Sequence, residues 1–332
     1  MVRQKPTMSQ EYQQESSLSV SEPSNHSSVL LEETLSLFKQ TKGDVFWDGT
    51  LGLAGHTIAL LKANAAAHGF GSDQDEAMLE QAKTKLASAG LIDRVSLQVA
   101  GAEQMPFTET AFDFIFLDLG LSSVHIDSFE RGISFLKDEP LDMRMDLRLE
   151  MRAIDLLHQY SEENLARIFY EYGEEKRSYR VAKEIKAAVN SGDDLDSTFA
   201  LRDLIHRVIK PATYGSYSKR FPEVKIFQAL RIAVNNEMDR LKEFLYKFES
   251  HLQPGGILAI ISFHSLEDRI VKQHFKSLTI KENSDPRRKS NLEDGPFLSL
   301  TKKPIVPSAE EIAANSRSRS AKLRAIMRRN TT

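Results

Sequence analysis

FDFIFLDLGLSS, Phe112 to Ser123, is the stretch that decides the fold. Its first half, Phe112 to Leu117, is rich in β-formers and lacks clean period-two alternation, the pattern of a strand buried on both faces of a parallel sheet. The run ends on Asp118 and opens at once into glycine and serine. In such sheets ligands bind beyond the carboxyl ends of the strands, so Asp118 falls where the floor of a site is expected. A lone Asp after a strand can equally cap the next turn, and the neighbouring sequence has to choose between the two.

Upstream, Val45-Phe46-Trp47 reads as a first strand ending on Asp48, followed by the glycine-rich GTLGLAGHT, Gly49 to Thr57, and a helical segment from Ile58 to Ala65. Before it, the spacing of Val29, Leu30, Leu35 and Phe38 predicts a short amphipathic helix. Phe70 to Asp73 is a short second strand, Glu76 to Ala89 a helix, and Val95 to Val99 a third strand. Strands alternating with helices predict a doubly wound parallel α/β sheet, because parallel neighbours need crossover connections. The sheet resumes with Ile257 to Phe263 after the turn Pro254-Gly255-Gly256, and a helix follows from His264 to Lys276.

Between these parts, residues 135–223 hold helical stretches at Ala153–His158, Glu162–Tyr172, Ser178–Ala188 and Thr198–Ile209, with no parallel-type strand. A mainly helical insertion, 135–223, inside a domain made of 26–134 and 224–332 accounts for this pattern. Within the insertion PLDMRMDLR alternates strictly, with Leu141, Met143, Met145 and Leu147 set against Asp142, Arg144, Asp146 and Arg148. That period predicts a half-buried extended piece, either an edge strand with a solvated charged face or the lining of a cleft. Phe227, Leu230, Val234, Met238, Leu241, Leu245 and Leu252 fall on one face of a single long helix. Glu282 to Gly295 is a polar loop, Ser308-x-x-Glu311 a capping box, and Arg317 to Arg329 a basic end without an acid, suited to phosphate contact. Residues 1–25, rich in Ser, Gln and Glu, predict a disordered arm.

Composition narrows the chemistry. The chain has 332 residues, 41% hydrophobic, with ample material for a core. It has no cysteine, which excludes disulfides, thiolate metal sites and a cysteine nucleophile. A net charge of −3 carries no global signature of nucleic-acid binding, so any such role must come from local patches. No apolar run approaches the roughly 20 residues of a membrane span and no secretory core opens the chain, so a cytoplasmic protein is expected.

Asp48 followed by Gly52 and Gly55 places glycines where a backbone approaches a ligand, at the opening of a helix whose amides favour electronegative atoms. Asp73 follows the glycines by about 20 residues, the position from which a carboxylate bonds ribose hydroxyls. Asp75 competes for that role, and either acid could be a helix N-cap. Glycine loop, ribose acid and strand-end Asp118 together point to an adenosyl cofactor. The spacing is not the G-x-G-x-x-G of a nicotinamide dehydrogenase.

DGTLGLAGHT, DLGLSS, RGISF (Arg131 to Phe135), PLDMRMD (Pro140 to Asp146), EYGEE (Glu171 to Glu175), FQALRIAVNNEM (Phe227 to Met238), SFHSLEDRIVK (Ser262 to Lys272) and SRSRSAKLR (Ser316 to Arg324) resemble, in this order, the bacterial MraW or RsmH family. The resemblance implies a Rossmann-like methyltransferase that uses S-adenosylmethionine to methylate the exocyclic N4 of a cytidine in small-subunit ribosomal RNA near the decoding centre. It implies a partner in that RNA or the assembled small subunit, needs no metal, and leaves a homodimer open. Carried over by motif, the cofactor positions are Ala54-Gly55-His56, Asp73, Glu103, Asp118 and His125. Glu103 stands where the family usually has Phe, His125 where it has Gln, and Phe221 to Lys225 replaces the family's His-Pro-Ala-Thr-Arg.

Asp118, or a carbonyl in the turn after it, is the expected acceptor for the target amine, and His264, also at a strand end, a base for late proton loss or a contact to the nucleotide. Asp142, Arg144, Arg231 and Arg269 are the candidates for gripping RNA. The rival readings are a non-catalytic RNA-binding or assembly module of the same fold and a methyltransferase with another nucleic-acid target.

Overall fold

In a computed structural model, the structure describes residues 28–107, 110–121, 130–211, 221–282 and 292–330. The expected disordered arm and His125 lie outside the described residues. The chain divides into two compact units, one comprising described residues 28–121, 145–148 and 236–330, the other 130–144 and 149–235.

The first unit is built on a seven-stranded sheet of order β3-β2-β1-β4-β5-β9-β8. Its parallel strands are β1 (Val45–Asp48), β2 (His68–Asp73), β3 (Val95–Val99), β4 (Phe112–Asp118) and β5 (Leu252–Ser262). Beside β5 lie β8 (Phe297–Ser299) and β9 (Lys322–Arg328), both in antiparallel pairings. A separate hairpin pairs β6 (Ile280–Glu282) with β7 (Leu292–Asp294) where a polar loop was expected. Helices α1 (Leu31–Phe38), α2 (Gly55–Ala63) and α3 (Glu76–Ser88) precede β3.

β4 lacks alternation because both its faces are covered. Phe114 and Phe116 join one apolar cluster with Phe38, Phe46 and Ala259, while Phe112, Ile115 and Leu117 join another with Trp47, Phe244 and Leu258. The chain reverses its direction of winding between β1 and β4, which puts Asp48 and Asp118 at the topological switch point where such sheets bind ligands. Against β4, Phe112 pairs with Leu252 and Phe114 with Ile257, so Pro254-Gly255-Gly256 bulges out of β5, with Gly255 at φ +80°.

The second unit is helical, with α4 (Ala153–Gln159), α5 (Glu162–Glu171), α6 (Ser178–Ser191), α7 (Thr198–Val208) and α8 (Glu223–Asn235) around its own core of Leu156, Phe169, Ile185, Leu204 and Leu230. It therefore runs through α8, past the 223 expected from the sequence.

Three expectations are corrected. The single long helix is two: α8 ends at Asn235 and α9 spans Glu237–Lys247, because Asn236 sits in the left-handed region at φ +49°. Apolar period cannot register one left-handed residue, and Leu252 already belongs to β5. PLDMRMDLR is no strand: Met143 is left-handed at φ +62°, and Leu141, Met143 and Met145 are buried while Leu147 is 55% exposed. Its alternation comes from a D-x-R device, in which Asp142 grips Arg144 at 2.7 Å across a buried Met143 and Asp146 grips Arg148 at 2.8 Å across an exposed Leu147. Much of the basic end, Lys322 to Arg328, is the interior strand β9. Arg324 and Lys322 pair with Asp268 at 2.7 and 3.4 Å, and Arg328 Nη1 donates to the Glu249 carbonyl at 2.9 Å.

Candidate active site

Three carboxylates end three neighbouring strands. Asp48, at the end of β1, is buried, accepting from Thr57 Oγ1 at 2.8 Å and the Thr50 amide at 3.3 Å. Burial pushes its carboxyl up to about 7 against those two hydrogen bonds, helped by the charges of Asp118 and Asp73. Asp118, at the end of β4, accepts from the Gly120 amide at 3.2 Å, while its own amide donates to Thr50 Oγ1 at 2.6 Å. Though not fully buried, it is walled in closely enough for desolvation to push it up to about 7, with Gly120 opposing and the charge of Glu267 adding to the rise. Thr50 thus bridges the two acids, its amide on Asp48 and its hydroxyl under Asp118.

Asp73, at the end of β2, accepts from the Gly52 amide at 2.8 Å and the Asp75 amide at 2.9 Å. Asp75 is the N-cap of α3, accepting from the Ala77 amide at 3.0 Å, so of the two rivals Asp73 is the one that faces the glycine loop. Gly52 (φ +52°) and Ala54 (φ +60°) are both left-handed, turning the loop tightly into Gly55 and α2. His56 is buried, with Nε2 3.0 Å from the Val29 carbonyl and its ring centroid 4.5 Å from Phe116; burial lowers its pKa to about 4. Glu103 is held by Arg240 at 2.9 Å, and Lys247 Nζ donates to its carbonyl at 3.0 Å. Arg240 also donates to Gln74 Oε1, so α9 ties down the turns after β2 and β3.

His264 is the N-cap of α10 (Ser265–Thr279). Its Nδ1 accepts from the Glu267 amide at 3.4 Å, and Glu267 Oε2 returns the contact by accepting from the Phe263 and His264 amides at 2.8 and 3.2 Å. Glu237, His264 and Glu267 bring potential metal-ligand atoms within 4.8 Å of one another. The cap bond leaves the ring hydrogen on Nε2, which suits a donor rather than a metal ligand.

Among the expected RNA contacts, Asp142 and Arg144 are paired to one another, and Arg144 Nη1 also donates to the Leu149 carbonyl at 2.7 Å. That pairing holds the Asp142 carboxyl below the usual range against its partial burial. Arg231 lies on α8 in the same helical unit, whereas Arg269 lies on α10 in the sheet unit. In the altered Phe221–Lys225 segment, Glu223 is buried against His206 at 2.8 Å and Lys225 reaches Glu175 of EYGEE at 3.5 Å. Thr50, Arg240 and Glu267 escaped the sequence reading. Only Glu267 had a local signal, since His264-x-x-Glu267 has the spacing of a capping box.

The sequence model of the MraW methylase family matches residues 23–329. The chain belongs to that family. It is an S-adenosylmethionine-dependent methyltransferase. The chain is similar to the ribosomal RNA small subunit methyltransferase H of Syntrophotalea carbinolica, 44% identical over 315 residues that cover 91% of this chain and 98% of that protein. The protein of the same name from Deinococcus deserti is 42% identical over 308 residues, covering 91% and 93%. That of Sorangium cellulosum is 40% identical over 315 residues, covering 91% and 90%. No helix among the described residues is long and apolar enough to cross a membrane.

Proposed function

We propose that this chain methylates the exocyclic N4 of a cytidine in small-subunit ribosomal RNA, free or in the assembled subunit, and does so in the cytoplasm. The observation that carries the reading is Asp118: a carboxylate at the switch point, braced by Thr50 and titrating near neutrality. The names of the relatives supply the RNA; the acceptor geometry supports an amine target.

Asp73, with both oxygens oriented by backbone amides beside the glycine loop, accepts from the ribose hydroxyls. Gly52, Ala54 and Gly55 offer a backbone surface; the ring of His56 is already engaged by Val29, so its contribution to the cofactor comes from its amide. Glu103, fixed by Arg240, walls the adenine side in place of the family's Phe. The bound cofactor supplies an electrophilic methyl group on a sulfonium.

The amine of cytosine is a poor nucleophile because its lone pair is delocalised into the ring, so positioning must supply much of the rate. Asp118 accepts one N4 hydrogen, which holds the nitrogen in line and favours the reactive lone pair. As the new N–C bond forms, positive charge appears on N4, and the adjacent carboxylate stabilises it. A carboxyl near 7 then takes the surplus proton and releases it to water.

Calorimetry with S-adenosylmethionine followed by transfer of its labelled methyl group to small-subunit RNA tests the reading. Heat and label in cytidine are expected. Absence of heat would return the chain to the class of non-catalytic RNA-binding modules, and label in another nucleoside would retain a methyltransferase with a different target.

A further inference from the structure

The imidazole of His264 is oriented by its own helix. A backbone amide aimed at Nδ1 makes that atom an acceptor, which leaves the ring hydrogen on Nε2. Nε2 lies 3.1 Å from Glu267 Oε1 but out of line for a hydrogen bond, and among the described residues this buried nitrogen has no hydrogen-bond partner. An unsatisfied buried donor is costly and is retained where something else supplies the acceptor.

Its neighbourhood indicates what that is. β4 and β5 are adjacent, with Asp118 in register with Ile261 and the Leu119 amide donating to the Ile261 carbonyl at 3.0 Å. A Cβ on Gly120 would stand 2.6 Å from the ring of Phe263, the residue before His264. The starts of the turns after the two strands, Gly120 and Phe263, are therefore packed together, and an acceptor (Asp118) and a donor (His264) lie at the same end of the sheet.

We propose that His264 Nε2–H donates to N3 of the target cytosine while Asp118 accepts from N4, so that the two side chains read the base edge. The inference rests on the cytidine-N4 function above and adds to it the group that selects the base. Cytosine offers an amine hydrogen beside a bare ring nitrogen; uracil offers a carbonyl oxygen beside an N–H, the reverse order, and meets acceptor with acceptor and donor with donor. Nε2, carrying hydrogen, has no lone pair for a proton, so His264 positions and selects the base, and proton removal falls to Asp118.

Two measurements test this on the full-length protein. Long-range proton–nitrogen correlation spectra of protein carrying labelled histidine are expected to show His264 with hydrogen on Nε2; hydrogen on Nδ1 would overturn the proposal. The second measurement is kcat/KM on small-subunit RNA with 3-deazacytidine, in which N3 is replaced by C–H, at the mapped target position. Wild type is expected to lose about tenfold to a hundredfold, the value of one unsatisfied polar contact. His264→Asn keeps the helix-capping acceptor but not the Nε2 donor; it is expected to lose as much on ordinary cytidine and nothing further on the deaza substrate. His264→Gln, which restores a donor at that reach, recovers most of the rate. Losses that multiply in His264→Asn, or a Gln variant as slow as Asn, overturn the proposal while leaving the cytidine-N4 function standing. A wild type that methylates no cytidine overturns both.

Discussion

At the scale of single residues, the site is a set of acids whose environments give them different tasks. Asp73 is fixed by amides, Asp48 is buried against Thr57 and Thr50, and Asp118 is both braced and reachable. Because burial raises Asp118 to about 7 and only the ionised form can stabilise the charge on N4 and take its surplus proton, kcat/KM is expected to climb with pH and level off above about 7. Asp118→Asn is expected to lose at least about a hundredfold in turnover while still binding cofactor; a variant with full turnover would remove Asp118 from its role. Asp48 makes a stability prediction of defined sign. Its folded-state value, about 7, lies above the ordinary carboxylate value of 3.8. Its contribution is therefore complete below about pH 4 and is lost as pH rises through about 7, at about 1.4 kcal/mol for each tenfold change in proton affinity. Denaturant melts at pH 5 and pH 8 should show a smaller difference in Asp48→Asn than in wild type. Asp118 stands out in the sequence as a candidate because it ends an apolar run, and Asp73 because it follows the glycines by about 20 residues. Thr50 and Arg240 do not, because a hydroxyl two residues past an acid and an arginine on a distant helix acquire meaning only through partners that the fold supplies.

At the scale of elements, the sequence predicted type better than continuity. β3 has its expected bounds, and α4 to α7 fall within a few residues of theirs, since each buries one periodic apolar face. The failures share a cause: burial was periodic but the backbone was not. Asn236 breaks the apolar stripe of Phe227 to Leu245 into α8 and α9 by a single left-handed residue. Asn236→Ala is expected to cost about 1–2 kcal/mol in denaturant unfolding, the price of a left-handed side chain without the local bonding of Asn, whereas Asn236→Gly should be nearly neutral. Equal stability of the two variants would mean that the left-handed turn is unimportant. In PLDMRMDLR an extended piece was expected, whether edge strand or cleft lining, because an aspartate bonding an arginine two residues on looks, in sequence, like alternation.

At the scale of the molecule, the parallel half of the sheet was legible from the alternation of strands and helices, but its antiparallel edge was not. β9 hides behind a basic composition: Leu323, Ala325 and Ile326 are fully buried between β5 and β8, while Lys322, Arg324 and Arg328 are held by Asp268 and by backbone carbonyls. Truncation after Asn315 is therefore expected to unfold the sheet unit, seen as loss of the cooperative melt; a truncated protein that melts as wild type would contradict the interior position of β9. The sequence reading closes the helical segment at 223, whereas the core of the helical unit includes α8, whose sequence reads equally well as a continuation of the sheet domain. The reaction itself is tested by mass-spectrometric mapping of methylated cytidine in small-subunit ribosomal RNA from cells with and without this protein. N4-methylation at one cytidine that disappears with the protein and returns with wild type, but not with Asp118→Asn, is the predicted result. Unchanged cytidine N4-methylation between the two cell lines would contradict it.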